Sequence, residues 1–497
     1  MAGRFLLAID QGTSSSRAVV YDHAANVLCS AQREFPQLYP QPGWVEHDPE
    51  AIWASVQYVA GQAMREAGAV AGDITAIGIT NQRETTLLWD RETGECVCNA
   101  IVWQDRRTAP MCEALTTDGV EPLIIDKTGL RLDPYFSATK IAWILENVKG
   151  AREQARRGKL AFGTVDSFLL WRLTGGRVHA SDASNASRTM LFNIHDQQWD
   201  DELLEIFNIP RELLPEVLDC AADFGETDDA TVGGAVPILG VAGDQQAALI
   251  GQAGFDYGMT KSTYGTGCFV IANTGGDALT SNNNLLTTVA NRLDGEVTYG
   301  LEGSVFIAGS AMQWLRDELG IIESAPESEA IAKATGVITG VQVVPAFAGL
   351  GAPYWDPHAR GAILGLTRGS GRDEVVTATL QSIAYQTRDL LDAMADDGIV
   401  PSVIRVDGGM VANGWFLQFL ADILDTPVER PQNVESTVLG AAYLAGHRSG
   451  LFASLEDIAR LWQVDTRFEP AMSADQREQL LMGWSAAVSR IRSDDRK

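Results

Sequence analysis

The chain is 497 residues long, 45% hydrophobic and 21% charged, which is enough for two large domains or three ordinary ones with ample core. Its formal net charge of −27, with only seven lysines, argues against general nucleic-acid binding and against docking on an acidic membrane surface, and no run of about 18 apolar residues predicts membrane insertion. The six cysteines and six histidines are too scattered for a C-x-x-C pair or a paired metal pattern, so reduced thiols and no structural zinc are expected.

In chain order, Met1–Arg4 leads straight into an apolar segment without a signal-peptide pattern, so the cytoplasm is the expected compartment. Residues 5–22, "FLLAIDQGTSSSRAVVYD", read as two strands around a Gly-containing turn. The turn is more polar than a hairpin requires: Thr13, Ser14, Ser15, Ser16 and Arg17 all follow Gly12. Asp48-Pro49 opens a helix, with Asp48 suited to the cap and Pro49 to the first turn; Ile52, Val56, Val59 and Met64 recur at helical spacing and Gly68 closes it. "ITAIGIT" (74–80) is a buried strand by its β-branched run, and "AFGTVDSFLLWRLTG" (161–175) leads from a turn into a helix.

"VPILGVAGDQQAALIGQ" (236–252) is a strand that turns at Gly243 into a small-residue helix. "KSTYGTGCFVIANTG" (261–275) is again strand, polar turn, strand. "VIRVDGGMVANGWFLQFLADIL" (403–424) is a strand, a Gly-Gly turn and a helix with Phe416, Phe419, Leu420, Ile423 and Leu424 on one face. The turn-rich "GQAGFDYG" (251–258) sets the boundary, giving an N-terminal domain over 1–250 and a C-terminal domain over 251–497. Each half therefore opens with its own polar hairpin. Paired across a cleft, such turns can cradle phosphate oxygens, because glycine permits close approach and successive N–H groups form an anion nest.

No G-x-x-x-x-G-K-[ST] and no protein-kinase motif set is present, so phosphate would be handled on a different scaffold. Asp10, at a strand end beside Gly12-Thr13, either forms the turn or holds Mg²⁺ directly or through water, with the hydroxyls and Arg17 toward a terminal phosphate. In "GITNQRETTLLWD" (78–90), Arg83 and Glu84 put a donor and an acceptor side by side at a strand mouth. That suits a polyol, although in isolation such a pair reads as a surface ion pair. Trp103 and Phe269 are either apolar walls or plain core. Asp244, at a strand-to-helix mouth, is either a helix cap or the acceptor of a hydroxyl proton as phosphate arrives.

The blocks "DQGTSSSRAVVYD", "GITNQRETT", "NAIVWQDRRTA", "TGLRLDPYFSATKIAWIL", "SNASRTMLFNI", "GVAGDQQAALIGQ", "STYGTGCF", "LEGSVFIAGSAMQWLRD", "PAFAGLGAPYWDP" and "VDGGMVANG" resemble the FGGY carbohydrate kinases of the actin-like ATPase superfamily, from about Phe5 to His447. "NQRETT", "WQDRRTA" and "AGDQQAA" resemble the glycerol-phosphorylating members in particular. The resemblance implies an α/β fold of two ribonuclease-H-like domains flanking a catalytic cleft, with ATP and Mg²⁺ used to make sn-glycerol 3-phosphate. By the same resemblance Arg83, Glu84, Tyr135, Asp244 and Gln245 bind the glycerol hydroxyls, Trp103 and Phe269 lie against its carbons, and Asp244 is the base. Thr13, Ser14, Ser15, Arg17, Thr266, Gly309, Gln313, Gly409 and Asn413 line the nucleotide site, with Asp10 near Mg²⁺. A homodimer or homotetramer is expected, without nucleic-acid partners. Ser14 and Gly414 depart from the family pattern by small changes. The segment 226–237 lacks the arginine of relatives that respond to fructose 1,6-bisphosphate, and the C-terminal tail does not resemble the regulator-binding segment of enteric relatives.

Overall fold

A computed structural model of the chain describes residues 4–493; Met1–Gly3, at the expected start, and residues 494–497 of the C-terminal domain lie outside the described residues. Two mixed sheets organise the chain. The first runs in the order Ile238–Gly243, Ile74–Asn81, Phe5–Gln11, Ser15–Asp22, Val27–Glu34. Its first three chain segments form an antiparallel meander, and the other two strands add in parallel to Phe5–Gln11 and to one another. The second sheet has the same plan. Thr260–Tyr264, Cys268–Gly275 and Glu296–Val305 lie side by side as antiparallel neighbours, and Ile404–Asp407 and Val428–Pro431 add in parallel on the other side. Leu286–Leu293 and Val464–Phe468 extend its two edges. The fold is thus one αβ plan used twice, the ribonuclease-H-like pair that the resemblance implies.

The inner strands of the first sheet are buried on both faces, which explains their continuous apolar runs, while the edge strand Val27–Glu34 is largely exposed. Leu7, Ile9, Ala18 and Val20 join one core with the helix Pro49–Glu66, whose Asp48 caps it by accepting from the Glu50 N–H at 2.9 Å. Leu6, Ala8, Val19 and Tyr21, on the alternate side, join another core with the helix Ser436–Arg448. That helix lies between the last two strands of the second sheet in sequence yet covers the first sheet in space. Its approach is close: a Cβ on Gly78 would stand 2.0 Å from the Ala441 carbonyl oxygen, and one on Gly440 would stand 1.8 Å from that of Ala247 in the helix Asp244–Gly251. These two crossed helices form the waist between the sheets. Leu249 of the waist packs on Ile271 and Ala290 of the second sheet.

The sheet-forming segments of 403–424 and 74–80 match expectation, as strands Ile404–Asp407 and Ile74–Asn81 and a helix Gly414–Leu424. One local reading differs. "AFG" at 161–163 belongs to a short strand, Leu160–Gly163, because it pairs with Leu87–Asp90, and the turn is confined to Thr164 ahead of the helix Val165–Leu173. Among the described residues no helix is long and apolar enough to cross a membrane, and all six cysteines are unpaired.

Candidate active site

The strand Ile74–Asn81 delivers Arg83 and Glu84 just beyond its end, with Glu84 held at φ +61°, a conformation that side-chain-bearing residues rarely adopt. Both are buried rather than a surface pair. Arg83 Nε lies 3.2 Å from Asp244 Oδ1 and 3.8 Å from Glu84 Oε1, and Nη2 donates to Tyr135 Oη at 3.4 Å. Tyr135 meets Trp103 edge-on at 5.6 Å between ring centroids, and Trp103 meets Phe269 at 6.2 Å. These three aromatic rings and three polar side chains, all named for a polyol site, therefore stand together, although they come from five separate stretches of chain. Gln245 joins them through Lys261, whose Nζ donates to the Gln245 Oε1 and, at 3.3 Å, to the Phe269 carbonyl.

Asp244 is the first residue of its helix and not the cap, which is Gly243. Its Oδ1 accepts from the next N–H, that of Gln245, at 2.7 Å, and the side chain keeps 31% exposure toward the cleft. Asp10 closes the strand Phe5–Gln11 opposite Arg17 in the hairpin register. Burial, and then the charge of Asp244, raise the Asp10 carboxyl to about 7 against the pull of Arg17. Asp10 and Asp244 bring two carboxylates into one cleft, a natural seat for a divalent cation. Among the described residues no group of three or more His, Cys, Asp or Glu side chains is disposed to hold a metal. One or two carboxylates, with water and phosphate oxygens completing the shell, are a donor set that Mg²⁺ accepts.

The first hairpin is braced from behind. Trp103 Nε1 donates to Thr13 Oγ1 at 2.9 Å, Gln37 Nε2 donates to the Thr13 carbonyl at 2.9 Å, and Gln32 Nε2 donates to Ser15 Oγ at 2.9 Å. Ser14 is exposed, whereas Ser16 turns into the core to share a 2.7 Å hydrogen bond with Ser55. Arg17 is engaged elsewhere than expected: it pairs with Glu435 and donates to Gln32 Oε1 at 2.9 Å. The second hairpin turn is tied to a helix N-terminus, since the Thr266 carbonyl accepts from the Ala308 N–H at 2.9 Å and from the Ser310 N–H at 3.1 Å. Gly309 opens that helix (Gly309–Asp317), which exposes Gln313. A Cβ on Gly408 would meet the Tyr264 carbonyl oxygen at 2.5 Å, so the Gly408-Gly409 turn lies flat against the base of the same hairpin. Asn413 spends its side-chain oxygen capping the helix Gly414–Leu424, accepting from Phe416 N–H at 2.9 Å, which leaves its amide N–H₂ for other partners.

Three charged residues in the cleft were not singled out from the sequence: Arg188, Lys261 and Glu302. Glu302 holds the Arg83 fork at 2.6 and 3.0 Å and accepts from Arg188 Nη2 at 2.9 Å, while Arg188 Nε donates to Glu84 Oε1 at 2.8 Å. Burial alone would raise the Glu302 carboxyl, but Arg188 and Arg83 outweigh it and hold it down at about 2. Burial lowers the Lys261 ammonium to about 8 against the attraction of Asp407, Asp244 and Glu302. A signal was available in the sequence: a lone carboxylate in the apolar run "YGLEGSVF" has to find a buried cation.

Residues 5–251 match the N-terminal domain, and residues 260–449 the C-terminal domain, of the FGGY family of carbohydrate kinases. The chain is 61% identical to a protein named glycerol kinase from Ectopseudomonas mendocina over 492 residues, covering 99% of each chain. Among solved structures it is similar to a Plasmodium falciparum glycerol kinase crystallised with ADP, with a TM-score of 0.91, 36% identity and 99% coverage of both chains. A gluconate kinase from Lactobacillus acidophilus shares the fold at a TM-score of 0.87 and 22% identity, over 98% of this chain and 97% of that one. With both of its halves matched in order along nearly their whole length, the chain belongs to the FGGY family of carbohydrate kinases.

Proposed function

We propose that the protein phosphorylates glycerol with ATP, giving sn-glycerol 3-phosphate and ADP. The observation that carries this reading is the Arg83–Asp244 pair at 3.2 Å set against the wall of Trp103, Tyr135 and Phe269: a small pocket with paired donors and acceptors on one side and apolar rings on the other. The full-length relative named glycerol kinase supports the choice of substrate.

In this reading Arg83, Glu84, Tyr135 and Gln245 give and take hydrogen bonds with the glycerol hydroxyls, and Trp103 and Phe269 cover its carbons. Asp244 accepts the proton of the attacking hydroxyl as the new O–P bond forms and the bond to the leaving ADP oxygen breaks. Thr13, Ser14 and Ser15 offer N–H and hydroxyl donors to the phosphates from one side, and Thr266 and Gly309 do so from the other. Gln313, Gly409 and Asn413 line the nucleoside end. Arg17 contributes to phosphate charge only when its pairing with Glu435 is given up. Asp10 would hold Mg²⁺, which when bound supplies neutralisation of the phosphate charge.

Release of ADP by the purified protein, measured across glycerol, other polyols and ketoses, tests the reading. Glycerol is expected to be turned over far better than xylulose, ribulose or gluconate, since a larger sugar has to displace the aromatic wall. Preference for any five- or six-carbon sugar overturns it.

A further inference from the structure

Arg83 has five N–H bonds, and the structure accounts for how they are divided. Two parallel ones, from Nη1 and Nη2, go to the two oxygens of Glu302 at 2.6 and 3.0 Å. A second N–H on Nη1 goes to Gln246 Oε1 at 3.2 Å. What remains is Nε, toward Asp244, and one N–H of Nη2, toward Tyr135. Those are the two edges that border the aromatic wall. A guanidinium is planar, so fixing one fork fixes the direction of the other edge.

Glu302 differs in origin from the two arginines that it holds. Arg83, Glu84, Tyr135 and Arg188 come from the N-terminal half, whereas Glu302 stands on Glu296–Val305 of the second sheet, opposite Ile271 in register. It is fully buried, and both of its oxygens are used by arginines of the first half. We propose that Glu302 is a positioning residue, reaching across from the second domain to lock the Arg83 fork so that Nε and one Nη2 N–H face the polyol. This rests on the reading of the pocket as a polyol site. It makes the substrate site of the first domain complete only when the second domain is seated. A role confined to holding the fold together would demand the pair but not the bidentate geometry.

The test compares Glu302→Gln and Glu302→Asp with wild type. Glu302→Gln keeps the shape but offers a single acceptor, and leaves Arg83 and Arg188 still balanced by Glu84 and Asp244. Glu302→Asp keeps the charge but is one methylene too short to hold both arms of the fork together with Arg188. Both are expected to raise the glycerol KM roughly 10–100-fold, the range for a lost charge-assisted hydrogen bond, while the KM for ATP stays within about threefold. A purely structural role would instead lower the active fraction and leave both KM values unchanged, and that result overturns the proposal. If Glu302→Gln fails to fold, a wild-type glycerol KM in Glu302→Asp overturns it alone. Wild-type turnover of glycerol is measured first. Its absence overturns the functional reading by itself, and the same comparison of KM values is then made with whichever polyol or ketose the wild type does turn over.

Discussion

Replacing Asp244 by asparagine separates proton acceptance from everything else that the residue does. The Asn side chain keeps an oxygen for the Gln245 N–H, now 2.7 Å from Asp244 Oδ1, and it fits the same partly exposed space. The ion pair with Arg83 is lost, but with the carboxylate 31% exposed that pair is worth no more than about 1 kcal/mol after solvent screening. Arg83 itself stays seated on Glu302. The melting temperature is therefore expected to fall by no more than about 2 °C. The chemical step is another matter. A positioned general base contributes about 10²–10⁴-fold, which is about 3–5 kcal/mol of barrier at 1.36 kcal/mol per tenfold. Steady-state ADP release, with a thermal melt on the same sample, should show kcat reduced by that factor and glycerol KM changed only modestly. A folded Asp244→Asn protein with kcat within about threefold of wild type would refute the assignment of Asp244 as base.

Arg83→Ala should shift the emphasis to substrate binding, raising glycerol KM more than it lowers kcat; it also takes from the buried Glu302 one of its two hydrogen-bonded arginines, so a stability loss of about 3–5 kcal/mol should accompany it in a denaturant titration. Gly440→Ala places a methyl 1.8 Å from the Ala247 carbonyl oxygen at the waist, and forcing the two helices apart should cost at least roughly 1–3 kcal/mol, read as a lowered melting temperature. Asp10 has a folded-state value of about 7 against an ordinary 3.8, so the ligand-free protein binds that proton more tightly than the unfolded chain does; its contribution to stability is full below about pH 4 and is lost as pH rises toward 7. Carboxyl carbon NMR should find this group titrating near neutrality, and nearer the ordinary range in Asp244→Asn, because the Asp244 charge is one of the causes of the shift.

Local signals carried much of this molecule. The hairpin over 5–22 pairs Asp10 with Arg17, as its apolar–polar–apolar pattern predicts, and Asp48 caps the helix that it precedes. Arg83, Tyr135, Trp103, Phe269 and Asp244 were named through family resemblance, and the structure brings them into one cluster. What sequence reading missed depends on partners far apart in the chain. Arg17 looks free beside a phosphate turn until Glu435 is found next to it. Glu302 looks like an oddity in a strand until two arginines from the other half close on it. Asn413 reads as a ligand residue, while its oxygen is also a helix cap. Periodicity and turn chemistry report on neighbours along the chain, and these pairings are set by which sheets meet.

The helix Ser436–Arg448 imposes an order on synthesis. The last strand of the first sheet is complete at Gly243, but the helix that seals the Leu6, Ala8, Val19 and Tyr21 face is made only after all but the last edge strand of the second sheet has been translated, up to Val428–Pro431. At about 5–20 residues per second, that apolar face waits roughly 10–40 s on the ribosome without its cover. A gene cut at the boundary between the two sheets would yield an N-terminal fragment that stays sticky until the C-terminal fragment arrives to lend it a helix.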